Sequence, residues 1–264
     1  MLGLKQGLFS KDSPTTSNWT PSDLLLTRNG SSYWWSSNYG VGADDLSAID
    51  DGDPIGTWVP RKNGTNATTR LFIDQSASNK DFLYDKRYVY SEDSENSKFT
   101  LFDAVGGSAQ EFTLDGDFYM CFRVRFGTFT SGADTLWQDL NNTSKDFCRI
   151  QDSDTIRIKI NNGSNRNFDF EESDLFDTDI WYNIEIIRAT EAIEVFVDGV
   201  ASTSNPITDA GNVTLDRIFA VSDGHVSDFI IIKGFTISNA ERTKLKAYLD
   251  RLGDTTYMPG GLQT

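Results

Sequence analysis

Histidine is almost absent: the chain has one, His225, among 264 residues. With only two cysteines besides, the chain lacks the ligand supply for zinc. A hydrolytic nucleophile would also want a histidine at its side, and no G-x-S-x-G motif accompanies this one. In "SDGHVSD" the histidine reads as a loop residue. Positive charge is scarce too. Twenty-four Lys and Arg face 39 Asp and Glu, for a formal charge of −15 and a pI near 4.4. Such a surface repels phosphate backbones, which argues against nucleic acid as a partner. No run of about 18 apolar residues exists to span a bilayer, so membrane insertion is not expected. The opening "MLGLKQGLFSKDSP" lacks the charged and apolar regions of a signal peptide, so export by the general secretory route is not expected either. Cys121 and Cys148 lie in apolar stretches and read as buried free thiols, with a cross-strand disulfide as the alternative.

Aromatic residues, by contrast, are plentiful: 18 Phe, 9 Tyr and 6 Trp. They supply a large apolar surface per residue, which argues for a folded core. From Tyr33 onward, short apolar runs bounded by Gly, Asn and Asp give the rhythm of an all-β fold. "TIRIKI" (155–160) alternates Ile156, Ile158 and Ile160 with Arg157 and Lys159, one face apolar and one wet. "FYMCFRVRF" (118–126) alternates in the same way. "NFDF" (167–170) is a further strand, and "WYNIEIIRATEAIEVFVDGV" (181–200) reads as two strands closed by an Asp198-Gly199 hairpin turn. "SDFIIIKGF" (227–235) is a strand covered on both faces. One segment reads as helix, "SNAERTKLKAYLDRLG" (238–253). Ser238 and Glu241 form a capping box, and Leu245, Tyr248, Leu249 and Leu252 make one apolar face.

The stretch "WYNIEIIRATEAIEVFVDG" resembles the concanavalin A-like jelly roll of laminin-G-like domains, in which a Trp opens one strand and the next ends in a DG hairpin. "YWWSSNYG" with "DGDPIGTW" (51–58) is similar to the N-terminal region of microbial and phage members. "VSDFIIIKGFTISNAERTKLKAYLDRLG" is similar to their closing strand and helix. Ser36 and Ser37 stand where those members often carry an aspartate. The resemblance implies an all-β, concanavalin A-like jelly-roll β-sandwich with an N-terminal extended arm and one C-terminal amphipathic helix. The divisions are an arm at 1–32, the jelly roll at 33–252 and a tail at 253–264.

Glycoside hydrolysis on such a sandwich needs two carboxylates facing each other across a cleft. "EDSE" (92–95) is a turn by composition, and Glu191 and Glu194 fall on opposite sides of a strand. The sequence therefore predicts a chain without catalytic residues. For glycan or partner contact the candidate rings are Trp34, Trp35, Tyr39, Trp58 and Trp137. Trp34 and Trp35 are adjacent on a strand and must point to opposite faces, so one packs inside and the other is covered by the arm, a neighbouring subunit or a ligand, or else stands exposed. No cofactor is expected, except that the resemblance leaves calcium open. Its candidate ligands are Asp50, Asp51 and Asp53, and less directly Asp44, Asp45, Asp223 and Asp228. In the arm, Trp19, Leu24 and Leu25 are the residues expected to grip a neighbouring subunit.

Together these readings predict a non-enzymatic virion component of a tailed phage, assembled in the host cytoplasm. Its partners would be other virion proteins in a homo-oligomeric or multicopy assembly, and a host surface glycan. A carbohydrate-binding module or a polysaccharide depolymerase is the alternative.

Overall fold

The computed structural model describes residues 19–25, 32–42, 47–61, 72–74, 82–85, 88–91, 97–103, 107–127, 134–139, 146–161, 163–221 and 224–252. In chain order these begin with helix α1 (Pro21–Leu25) and strands β1 (Ser32–Ser36), β2 (Val41–Gly42), β3 (Thr57–Trp58), β4 (Phe72–Asp74), β5 (Phe82–Asp85) and β6 (Tyr88–Ser91). There follow β7 (Ser97–Phe102), β8 (Phe112–Leu114), β9 (Phe118–Phe126), β10 (Thr135–Gln138), β11 (Phe147–Asp152), β12 (Thr155–Lys159) and β13 (Arg166–Asp169). Last come β14 (Trp181–Ala189), β15 (Ala192–Val197), β16 (Val200–Ala201), β17 (Ile207–Thr208), β18 (Val213–Leu215), β19 (Arg217–Val221), β20 (Gly224–Lys233) and α2 (Asn239–Leu252).

The strands form two large sheets with antiparallel pairing. One runs β16-β15-β14-β9-β20-β6-β5, with β1 also on β20 and β17 on β15; the other runs β13-β12-β11-β10-β19-β7-β4-β3-β2. Alternation in the strands turns one side of each sheet inward. Phe118, Met120, Phe122 and Val124 of β9 meet Ile156 and Ile158 of β12 and Leu136 of β10 in one continuous core. This is the concanavalin A-like jelly-roll sandwich, with a single C-terminal helix. Neither helix among the described residues is long and apolar enough to cross a membrane.

The turns follow from local chemistry. Asp198 and Gly199 both take positive φ, 50° and 85°, as a tight hairpin between β15 and β16 demands. The β14–β15 turn uses Thr190 and Glu191 with positive φ as well. Glu191 is thus a turn residue and only Glu194 lies in the strand. Ser238 caps α2 through its Oγ to the Glu241 amide, while the Glu241 carboxylate accepts from the Ser238 amide at 2.7 Å. Cys121 and Cys148 are buried free thiols, and burial pushes both thiol pKa values up.

The outer face of the first sheet carries a second apolar layer. Leu24 and Leu25 of α1, Leu245, Tyr248 and Leu249 of α2, and Trp34, Tyr119, Cys121, Ile187, Ile230 and Ile232 of the strands form one cluster, with Trp19 packed against it. The two-sided burial of β9 and β20 follows from this layer. Arg242 locks α2 down: its guanidinium is bidentate to Glu185 at 2.8 and 3.1 Å and lies 3.7 Å over the ring of Phe196. Tyr119 donates its hydroxyl to the same carboxylate at 3.0 Å.

The described part of the arm is therefore spent on its own chain. Trp19, Leu24 and Leu25, expected to grip a neighbouring subunit, complete the layer under α2. Residues 1–18 and 26–31 of the predicted arm, the tail from 253 and the "EDSE" segment lie outside the described residues.

Candidate functional site

Four rows of side chains cross the outer face of the first sheet, each set by strand register. Ile187, Tyr119 and Ile232 make the first row, and Glu185, Cys121, Ile230 and Trp34 the second. The helices cover both. Asn183, Arg123, Asp228 and Ser36 form the third row, polar and buried. The fourth is Trp181, Arg125, His225 and Tyr90, on four adjacent strands, and every member is only partly buried. On β20 a bulge between Val226 and Asp228 inserts one residue, so His225 and Asp228 share a face although they are three apart.

This last row is an aromatic and basic patch. Tyr88, next to Tyr90 on the same face of β6, has its ring centroid 4.8 Å from His225, 5.8 Å from Tyr90 and 5.9 Å from Trp181. Tyr90 and His225 stack, their planes 13° apart and centroids 5.6 Å apart. The Arg125 guanidinium carbon lies 5.6 Å from the Tyr88 ring and 5.8 Å from the Trp181 ring, and that of Arg123 5.4 Å from Trp181. Ile180, 47% exposed, stands beside Trp181.

His225 is therefore a strand residue, contrary to the loop reading. Burial, with the charge of Arg125 beside it, pushes its imidazole down to about 4. At neutral pH it carries no charge. Arg125 Nη2 lies 2.9 Å from His225 Nε2 and, being a permanent donor, must donate to it, which puts the imidazole proton on Nδ1.

The rings singled out from the sequence fall elsewhere. Trp35 and Trp137 are fully buried in the sandwich core, Trp35 stacked on Phe229 with centroids 5.3 Å apart. A bulge in β10 between Thr135 and Trp137 lets the successive residues Leu136 and Trp137 both enter that core. Trp58 is buried and donates its indole N–H to the Ser36 carbonyl. Trp34 points to the opposite face from Trp35, as alternation requires, and its cover is α1 and α2 of the same chain. These four rings are packing residues, which removes Trp34 as an argument for a partner. Tyr39 is 46% exposed, and Arg61 lies 4.9 Å over its ring. It follows β1 where β6 takes over the pairing with β20, so it flanks the same face.

The described aspartates singled out for calcium fall in separate places. Asp50, Asp51 and Asp53 are in an exposed turn in which the Asp53 carboxylate accepts the Asp50 amide at 2.9 Å. Among the described residues no three acidic, His or Cys side chains gather to hold an ion. Asp228 is buried and accepts the Trp34 indole; Asp44, Asp45 and Asp223 lie outside the described residues. A cleft of about 250 Å³ lies where α2 crosses the β15–β16 hairpin, lined by Glu185, Arg242 and Lys246. Its charges are already paired, Arg242 with Glu185 and Lys246 with Asp250.

Sequence reasoning missed the patch because Trp181 served only as a fold marker and His225 was placed in a loop. The signal was there in the spacing: Arg123 and Arg125 alternate on a strand, and "YVY" repeats an aromatic at i and i+2.

No protein-family model matches the chain, and no curated protein matches its sequence. Among solved structures it is similar to a Trypanosoma rangeli sialidase in complex with sialic acid, with a TM-score of 0.56 at 11% identity, covering 84% of this chain and 33% of that one. A second sialidase complex from the same organism gives 0.54 at 11%, covering 85% and 33%. A carbohydrate-binding module, CBM66 of Bacillus subtilis, matches over 57% of this chain and 86% of that one at 8% identity, but its TM-score of 0.34 is too low to carry weight. The chain thus spans about a third of the sialidase it resembles. The expectation of a chain without enzymatic character is overturned by these matches, which are to enzymes. At this identity the likeness shows the fold, and the activity does not transfer with it.

Proposed function

We propose that the chain binds glycan on the open half of its first sheet. The observation that carries this reading is the row Trp181, Arg125, His225 and Tyr90, with Tyr88 beside it: partly exposed rings and fixed donors on a rigid sheet. Aromatic faces pack against the apolar face of a sugar, and the flanking polar groups take its hydroxyls. A fold shared with a sialidase whose structure holds sialic acid supports the reading. Alanine at Trp181 removes the largest ring while leaving the sandwich core intact. In a glycan panel followed by calorimetry, Trp181→Ala is expected to lose binding with the melting temperature kept within about 2 °C. A panel on which the unaltered protein binds nothing would overturn the reading. A reducing-end assay on the polysaccharides that bind asks whether bound glycan is also cleaved, the depolymerase alternative.

A place on a phage particle is part of the proposal and rests on the sequence resemblance. Many copies on one particle would multiply weak single-site affinity. Recovery of the chain at fixed stoichiometry from purified particles is the result that supports it, and its absence from them the result that removes it.

A further inference from the structure

We propose that the patch selects sugars carrying a carboxylate, with Arg125 as the group that takes the charge. This rests on the glycan-binding reading above and names the substrate class of that same site.

The first argument is charge. On a chain of net charge −15, an acidic glycan is repelled by most of the surface and can settle only where positive charge is gathered. Arg123 and Arg125 are two residues apart on one face of β9, and both lie within 6 Å of the Trp181 ring. Two carboxylates border that row, Asp85 opposite Tyr88 and Asp179 beside Arg125, and His225 is uncharged, so Arg125 is the row's permanent cation.

The second argument is donor geometry. Nε of Arg123 and of Arg125 lie beneath the face, and the row of Arg123 holds unpartnered acceptors of its own, Asn183 Oδ1 and Asp228 Oδ2. Arg123, 6% exposed, therefore stays out of reach, and the group a ligand meets is the Arg125 side chain, 24% exposed. A carboxylate offers two oxygens in the geometry that a guanidinium fork matches.

The third argument is that Arg125 has a weak internal partner. Its ion pair with Asp179 is long, 3.8 Å from Nη1, and the Asp179 side chain is 72% exposed. His225 meanwhile holds Nη2. The guanidinium is thus oriented from one side and loosely screened from the other, and a ligand carboxylate replaces the Asp179 contact. His225 is a positioning residue in this arrangement.

The experiment compares acids with their neutral forms: polygalacturonate, alginate and sialyllactose, each beside its methyl ester, together with neutral glycans, by calorimetry at two salt concentrations. At least one acid is expected to bind roughly tenfold more tightly than its ester, with the preference shrinking as salt rises. Arg125→Gln is expected to erase the preference while Trp181→Ala erases binding to both forms. Asp179→Asn, at an exposed side chain, is expected to tighten the acid and leave the ester unchanged, which keeps the test open if Arg125→Gln fails to fold. Equal binding of acid and ester, or binding of neutral glycans alone, overturns the carboxylate inference and leaves glycan binding standing. No binding to any probe removes both.

Discussion

Trp34 donates its indole N–H to Asp228 Oδ1 at 2.8 Å, joining β1 to β20 at the boundary between the helix-covered and the open halves of the sheet. Asp228 is fully buried, and burial pushes its carboxyl up to about 7; the indole and the Ser36 and Ser227 hydroxyls pull it down, but by less. In the unfolded chain an aspartate titrates at about 3.9. Between about pH 4 and pH 7 the native protein therefore holds a proton that the unfolded chain has released. The stabilisation is full below about pH 4 and lost as the pH rises through about 7. Asp228→Asn is expected to raise the melting temperature at pH 8 by about 4 °C or more, and to change it little at pH 4. Equal shifts at both pH values would show that Asp228 does not titrate in this range.

His225 has the opposite sign. Its native value near 4 lies below the ordinary ~6.5, so on acidification the unfolded chain takes up the proton first. Its contribution is present above about pH 6.5 and lost as the pH falls toward 4. Because His225 is the only histidine, a single imidazole spin system reports it in an NMR titration. A midpoint near 4 is expected; one near 6.5 would mean the imidazole is solvated and the patch looser than described.

Leu25 distinguishes an arm bound to its own chain from one that grips a neighbour. It is fully buried against α2, and Leu25→Ala is expected to cost about 3 kcal/mol in urea unfolding of the isolated chain. An unchanged midpoint, with a change in assembly state, would assign the residue to a partner instead.

The Arg242–Glu185 pair, with side chains 14% and 5% exposed, clamps the helix to the sheet. Glu185→Gln leaves the guanidinium poorly compensated and is expected to cost about 3 kcal/mol, whereas the double change Glu185→Leu with Arg242→Met is expected to come close to neutral, since two apolar groups avoid the desolvation that a buried pair must overcome. A double-mutant cycle by denaturant titration measures the difference. A coupling near zero would reduce the pair to a surface contact.

Much of the architecture was legible in the residues because strand and helix signals are local. "TIRIKI" declares its two faces by alternation, Asp198-Gly199 its turn by tolerance of positive φ, and Ser238 with Glu241 the start of α2 by reciprocal capping. The burial of Trp58 and Trp137 was not legible, since an exposed and a buried tryptophan look the same in a polar stretch. For Trp34 the alternation rule gave its direction but not its cover.

The sequence by itself determined that this chain is all-β with one amphipathic helix near its end, because periodicity and turn chemistry act over a few residues at a time; the jelly-roll sandwich was what the resemblance implied. It also determined that Trp34 and Trp35 part ways, since neighbouring side chains on a strand cannot share a face. Only the tertiary structure decided what meets on that face. The register of β14, β9, β20 and β6, drawn from segments 88 to 226, aligns Trp181, Arg125, His225 and Tyr90 in one row. That alignment depends on long-range pairing and on one inserted residue in β20, and no local pattern encodes it.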